Sequence, residues 1–399
     1  MSEGHIVGSG CTKTPSERAD GDGRQSFQEM IELVELPVDK ENTSGSVSRY
    51  MGTRAAWLPG SDLFINVQSV REGRPAPSPH KAAFGGHVYA QSALAMCRAM
   101  ADAQEKEGVK RSMTPGLHSI HGFFTAAGRI DRPFIYTAAP LTVSRSFSTC
   151  SVTAYQPLSP TTNPERDHFP ASDALLPPGP TCFTAIASFK SPEPHTLDGT
   201  ISAAEPPPQE RFASILSSRP PGQWPPSPPV DIDMLTALAG TDIIGTFPAL
   251  DMKKVDMAAH NAGRPLHEQR ELILYRLLEP LPSDGGADGW WDANAHVCAH
   301  AYAVDRNGLL MLGNLLGIGD RFGRAASLSY SLVVHVNAAE AVMEGDGWWV
   351  QECCFPRAGA GRGVIMSKIW SPGGVHVMTE YQDGLCRAYE EKKRPGEKL

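Results

Sequence analysis

Apolar positions in residues 86–104 recur at helical spacing, with Val88, Ala95, Met96 and Ala99 falling toward one side of a helix. The runs that follow, 134–139, 146–155 and 182–189, have the composition and length of strands. The second half of the chain repeats this order. Residues 295–316 read as one helix, with Ala299, Leu309, Leu310 and Leu312 as its apolar positions, and 327–336, 348–355, 363–370 and 375–382 read as strands. Ser371-Pro372-Gly373-Gly374 joins the last two as a hairpin. Arg145-Ser146-Phe147 and Arg362-Gly363-Val364 open comparable strands in the two halves. One helix with several antiparallel strands, repeated once, predicts an α+β protein in which each helix packs on a sheet.

The segments between these runs set the expected division. Residues 1–25 are polar and rich in Gly, Ser and Asp, the composition of a disordered tail. Pro206-Pro207-Pro208, Pro220-Pro221 and Pro225-Pro226 remove backbone donors and favour extended chain, which suits a linker between domains or a proline-rich ligand for a partner. The expected layout is a tail at 1–25, a first domain at 30–192, a linker at 193–228 and a second domain at 229–390. A loop at 157–180 interrupts the first domain between two strands.

Bulk properties narrow the classes. Hydrophobic residues make up 41% and charged residues 20% of 399, as in ordinary globular proteins. A net charge of −8 argues against a general nucleic-acid binder, which needs a basic face. Cysteines at 11, 97, 150, 182, 298, 353, 354 and 386 show no Cys-x-x-Cys pair, so neither a zinc site nor a disulfide scaffold is expected. That usage suits a reducing, intracellular compartment. No apolar run reaches the length of a membrane span, and the N-terminus has no apolar signal core. The ending Glu397-Lys398-Leu399 is a weak form of the peroxisomal Ser-Lys-Leu address, leaving cytoplasm or peroxisome as the expected location.

Candidate chemistry begins at Phe84-Gly85-Gly86-His87-Val88-Tyr89-Ala90-Gln91, two glycines opening the first helix. A glycine pair admits close approach to the backbone, and free N–H groups at a helix start favour negative charge, which suits the oxyanion of acyl transfer. Tight packing accounts for such a pair equally well. His87 fits either a hydrogen bond to an acyl carbonyl or a place at the edge of the core. His296 and His300 stand four apart without the glutamate of a His-Glu-x-x-His zinc signature, so no metal is expected. There is no Gly-x-Ser-x-Gly nucleophile elbow and no complete dinucleotide glycine fingerprint, and no cofactor is expected.

Further segments fall in a telling order: His118-Ser119-Ile120-His121-Gly122-Phe123-Phe124, Asp131-Arg132-Pro133-Phe134, Arg145-Ser146-Phe147, 183–189, and Gln382-Asp383-Gly384 near the end. In order and spacing this set resembles the acyl-CoA thioesterase II family, whose members fuse two hotdog folds in one chain. The resemblance covers roughly 30–192 and 228–390. It implies a tandem hotdog, each half an antiparallel sheet wrapped around a helix, and an intracellular enzyme of lipid metabolism that hydrolyses acyl-CoA. It also implies a water positioned by an aspartate, a hydroxyl residue and a glutamine of the second half.

Residue by residue, the family's Ala-Tyr-Ala-Ser-Asp matches Ala301-Tyr302-Ala303-Val304-Asp305, its strand-opening threonine matches Ser327, and its Val-Gln-Glu-Gly matches Tyr381-Gln382-Asp383-Gly384. The resemblance thus implies Asp305, Ser327 and Gln382 as catalytic residues. Gly85, Gly86 and His87 are the candidate substrate and oxyanion residues of the first half, and the helix start of the second half stays open as the alternative. Read from the residues alone, Asp305 also fits a cap near Asn307-Gly308, Ser327, Ser329 and Ser331 fit the polar face of a strand, and Gln382 fits an exposed strand end. The chain departs from the family where Ser329-Tyr330 replaces Asp-His and where Ala126-Ala127-Gly128 replaces Arg-Pro-Gly. Two alternatives therefore stand beside acyl-CoA hydrolysis: a specialised enzyme for polyketide or other biosynthetic acyl thioesters, and a binder without turnover. The expected partners are an acyl thioester and, through the sheets, further copies of the chain.

Overall fold

A computed structural model describes residues 24–38, 47–58, 82–108, 115–164, 168–194, 205–227, 247–282, 292–306, 308–317 and 322–388. The tail expected at 1–25, apart from Arg24 and Gln25, and the terminal Glu397-Lys398-Leu399 lie outside them.

Among the described residues, twelve strands form one antiparallel sheet. They are β1 (Leu33–Leu36), β2 (Ser48–Gly52), β3 (Gly116–Phe124), β4 (Ile135–Thr142), β5 (Phe147–Pro157), β6 (Pro178–Lys190), β7 (Leu250–Lys254), β8 (Arg270–Leu277), β9 (Phe322–Val334), β10 (Trp349–Gly359), β11 (Arg362–Trp370) and β12 (His376–Ala388). The order across the sheet is β1-β2-β4-β5-β6-β3-β9-β12-β11-β10-β8-β7. Read outward from the centre, the halves run 3-6-5-4-2-1 and 9-12-11-10-8-7, the same topology twice. They meet where β3 pairs with β9, from Ser119↔Val333 to Phe123↔Ser329. The expected α+β tandem hotdog is the fold the chain adopts, and β5 and β11 are the equivalent strands read from 145–147 and 362–364.

A short helix, α1 (Phe27–Met30), precedes β1, with Ser26 and Glu29 forming a reciprocal capping box. The long helix α2 (Gly85–Lys106) lies between β2 and β3 in the chain. Nearly every residue of its first four turns is buried, from Gly86 to Ala101. A helix apolar around most of its circumference is one enclosed on all sides. α2 packs against α3 (Ala293–Val304), and both helices are rich in buried alanine, among them Ala90, Ala93, Ala299 and Ala303.

The second half departs from its expected single helix. The run read as 295–316 is broken: α3 stops at Val304, Asp305 caps its end, and α4 (Gly308–Leu315) starts afresh. A side chain at Gly308 would run into Gln382 Oε1, so a glycine opens α4. The edge strands β1 and β7 and their neighbours β2 and β8 are not among the strands the sequence predicts; β1, at four residues, is too short to show alternation.

The described part of the proline-rich stretch, 205–227, is ordered against the outer face of the second half. Phe212 and Trp224 pack with Val255, Leu272, Leu274, Val350 and Trp370, the face of β8, β10 and β11 opposite the helices. Arg211 grips Glu352 of β10 with two bonds, Nη1 to Oε1 at 2.9 Å and Nη2 to Oε2 at 2.6 Å. Glu352 is fully buried, and Arg270 supports it at 3.5 Å. Removing one partner of a buried pair strands the other, so Arg211→Ala should cost about 3 kcal/mol, the low end for such pairs because Arg270 remains. In urea unfolding, Arg211→Ala/Glu352→Leu should be more stable than Arg211→Ala alone. A double variant no better than the single one would show that the pair is not what holds the strap.

Candidate functional site

α2 begins without a side-chain cap. Its N-cap residue is Phe84, and the cap is supplied from the other half of the molecule, where the Gly86 N–H donates to Asp305 Oδ2 at 2.6 Å. The glycine pair follows from this approach. A Cβ on Gly85 would stand 2.9 Å from Asp305 Oδ2, and one on Gly86 would meet the Phe84 ring at 2.7 Å and the Tyr302 carbonyl at 3.0 Å. The carboxylate therefore sits in the positive field of the first turn of α2.

The other carboxylate oxygen gathers three donors. Asp305 Oδ1 accepts from Gln382 Nε2 at 2.7 Å, from Ser327 Oγ at 3.3 Å and from the Tyr330 hydroxyl at close range. Gln382 Nε2 also lies 2.9 Å from Ser327 Oγ. The structure brings Asp305, Ser327 and Gln382 together, and adds Tyr330, which sequence reading registered as a replacement and gave no role. Ser327 and Tyr330 are three apart on β9, where simple alternation would turn them to opposite faces. A register shift resolves this: Ser327 pairs with Gly384 and Ser329 with Asp383, so Leu328 is an extra residue in β9. Such a bulge re-aims neighbouring side chains. The pairing Tyr330↔Gln382 then sets both beside Asp305.

Asp305 is 8% exposed. Burial raises its pKa to about 6, against the opposing pull of hydrogen bonds from Tyr330, Gly86, Ser327 and Gln382. An acid of that strength is ionised at pH 7 and able to take a proton from water during a reaction.

The polar group borders a cavity of about 460 Å³, within the usual range for small-molecule sites. Asp305, Ser327 and Gln382 form one part of its lining, and Trp57, Phe124, Ala126, Ala127, Phe134 and Leu309 are among the rest. Both halves contribute walls. Arg306 also lines it, its guanidinium stacked over Phe247 at 4.0 Å and Trp57 at 4.7 Å.

The first-half candidates divide. Gly85 borders the cavity, but the Gly86 amide is engaged by Asp305 and the His87 amide donates to the Phe84 carbonyl at 3.2 Å. In this structure neither amide is directed at an oxyanion. The His87 ring is fully buried against Phe134, away from the cavity lining, and burial lowers its pKa to about 4. It sits in the core and does not line the cavity. His296 and His300 are structural too. His300 bonds the Tyr275 hydroxyl at 2.6 Å and the Ala341 carbonyl at 2.8 Å, and His296 Nδ1 accepts from the Met343 N–H at 3.2 Å. Among the described residues, no three His, Cys, Asp or Glu side chains cluster in a way that could hold a metal ion. No helix among them is long and apolar enough to cross a membrane.

Comparison with known proteins bears on the sequence and the fold. Residues 74–190 match the family described as acyl-CoA thioesterase N-terminal domain. Acyl-coenzyme A thioesterase 8 of Homo sapiens is 24% identical over 330 residues, covering 81% of this chain and 87% of the relative. The Rattus norvegicus protein of that name is 24% identical over 307 residues, with 76% and 80% covered. Among solved structures, the acyl-CoA thioesterase II TesB2 from Mycobacterium marinum superposes with a TM-score of 0.52 at 21% identity, covering 92% of this chain and 99% of that one. A tesB protein of Mycobacterium avium subs paratuberculosis gives 0.52 at 17% identity, covering 90% and 98%. With a sequence match in its first half and relatives spanning most of its length, the chain is similar to acyl-CoA thioesterases, and it shares the twofold antiparallel hotdog fold of its thioesterase II neighbours.

Proposed function

We propose that the protein hydrolyses acyl-CoA by direct attack of a water held between Asp305, Ser327 and Gln382, with the acyl chain in the apolar cavity. The observation that carries this reading is the convergence of these three side chains, from the end of α3, from β9 and from β12, on one part of a cavity otherwise lined largely by carbon. Asp305 accepts the water proton as the water oxygen bonds to the thioester carbon. The tetrahedral adduct then collapses, the carbon–sulfur bond breaks, and the proton passes from Asp305 to the departing sulfur. The products are a free acid and the thiol of coenzyme A, with no covalent acyl-enzyme. The start of α2 serves the carboxylate here: it stabilises the charged base through Gly86.

Removing a general base typically costs on the order of 10²–10⁴ in rate. Asp305→Asn keeps the side-chain volume and should lose at least about 10²-fold in thiol release from a panel of acyl-CoAs, with its melting temperature near that of the wild type. Full activity in that folded variant would end the assignment of Asp305. Release absent from the wild type across the whole panel would end the hydrolytic reading.

The base must be ionised to act, and its pKa lies at about 6. The rate should therefore be constant above neutral pH and fall tenfold per unit below about 6. A kcat/KM profile still flat at pH 5 would exclude Asp305 as the titrating group.

A further inference from the structure

Asp305 Oδ1, Ser327 Oγ and Gln382 Nε2 form a triangle with sides of 2.7, 2.9 and 3.3 Å. All three atoms also lie within bonding reach of the Tyr330 hydroxyl: Ser327 Oγ at 2.8 Å, Gln382 Nε2 at 3.0 Å and Asp305 Oδ1 closer still. The phenol oxygen thus caps one face of the triangle. The three triangle residues line the cavity and Tyr330 does not, so the capped face is the buried one and the other face is left for a water. Tyr330 is 1% exposed, its ring stacked on Tyr89 at 4.8 Å and edge-on to Phe124 at 5.6 Å, which fixes the direction of its hydroxyl.

We propose that Tyr330 is a positioning residue for the water-activating carboxylate: its hydroxyl donates to Asp305 Oδ1 from the core side, holds the triangle open toward the cavity and stabilises the carboxylate charge. This rests on the hydrolytic reading of the site. A nucleophilic role for the phenol does not fit its place behind the triangle. Burial, followed by the neighbouring Asp305, holds the phenol pKa well above the usual value, so the group remains a donor. Hydrogen-bonding, titratable and charged groups surround Asp305. They are the Gly86 N–H of α2, Ser327 and Tyr330 of β9, Gln382 and the buried Glu380 of β12, and its chain neighbours Tyr302 and Arg306. Tyr330→Phe deletes one oxygen from this shell and leaves the ring stack in place.

In Tyr330→Phe the acid limb of kcat/KM should move to higher pH by about one unit, because one donor to the charged form is gone. The kcat should fall about tenfold with KM unchanged, since no cavity wall is altered. The carboxyl carbon of Asp305, followed by ¹³C NMR and assigned by its loss in Asp305→Asn, should titrate at higher pH by the same amount. An acid limb and an Asp305 titration both equal to wild type would overturn the role of Tyr330 while leaving hydrolysis intact. If the wild type released no thiol, hydrolysis would fall instead. The Asp305 titration needs no turnover and would still decide whether Tyr330 holds the carboxylate.

Discussion

The bond from the Gly86 amide to Asp305 is the contact on which the site depends, because it joins the two halves at their most constrained points. On one side is the first turn of a helix enclosed by the core, which lacks a capping side chain of its own. On the other is the residue at which the second central helix ends. Three sequence features are consequences of that contact. The glycine pair is there because any side chain would collide with Asp305, Phe84 or the Tyr302 carbonyl. The helix breaks at Asp305, placing the carboxylate at its end. The β9 bulge brings Ser327 and Tyr330 to the carboxylate together.

The arrangement carries an electrostatic cost. An ion removed from water loses several kcal/mol of solvation even after the protein relaxes, and Asp305 is almost entirely enclosed. Gly86, Ser327, Tyr330 and Gln382 offset this in part, and the residual burden appears as a pKa of about 6. Relative to the unfolded chain, the raised pKa means that protonated Asp305 favours the native state. That contribution is complete below the unfolded value of 3.8 and is lost as pH rises through about 6. At neutral pH Asp305 is still ionised, yet it binds a proton more readily than a free aspartate, which is what accepting a proton from water asks of it. Glu380, two residues before Gln382 and fully buried, lies in the same interior, and burial followed by the Asp305 charge raises its pKa well above normal. Two carboxyl groups near each other do not both ionise easily, so burial and the Asp305 charge both favour the neutral form of Glu380.

The fold was largely legible because both central helices and the long inner strands carry strong patterns. The strands at 146–155 and 363–370 were placed within a few residues of β5 and β11, and the turn at 371–374 is closed by the Gly374 N–H bonding the Ser371 carbonyl at 2.9 Å. The break in the second helix was not legible, since Leu309, Leu310 and Leu312 continue an apolar pattern straight through it. That pattern reports burial, and both segments are buried. The gathering of Asp305, Ser327 and Gln382 was reached through family likeness, residue by residue. Tyr330 escaped because its contact depends on the bulge at Leu328, and a run of Ser-Leu-Ser-Tyr-Ser looks like plain alternation. The order of 205–227 was hidden for a similar reason: prolines suggest extended chain, while Phe212, Trp224 and Arg211 anchor it to a face that tertiary structure creates.

Among the described residues, the two halves of the duplicated architecture have diverged in what they turn inward. On β6, the counterpart of β12, the inward positions are Phe183, Ala185, Ala187 and Phe189, all buried and apolar. On β12 the corresponding run includes Glu380 and Gln382. The first half thus gives a helix start and apolar wall, and the second gives the side chains that can move a proton. Neither is sufficient alone: without α2 the carboxylate loses the amide on Oδ2, and without β9 and β12 the helix start has nothing to hold. Five residue pairs between β3 and β9 fix the two contributions relative to one another. Tyr330 stands opposite Gly122 in that seam, so the same pairing that closes the sheet also sets the phenol behind the carboxylate. A shift of one residue there would turn Tyr330 to the other face, which makes the register of the central seam a condition of the chemistry as well as of the fold.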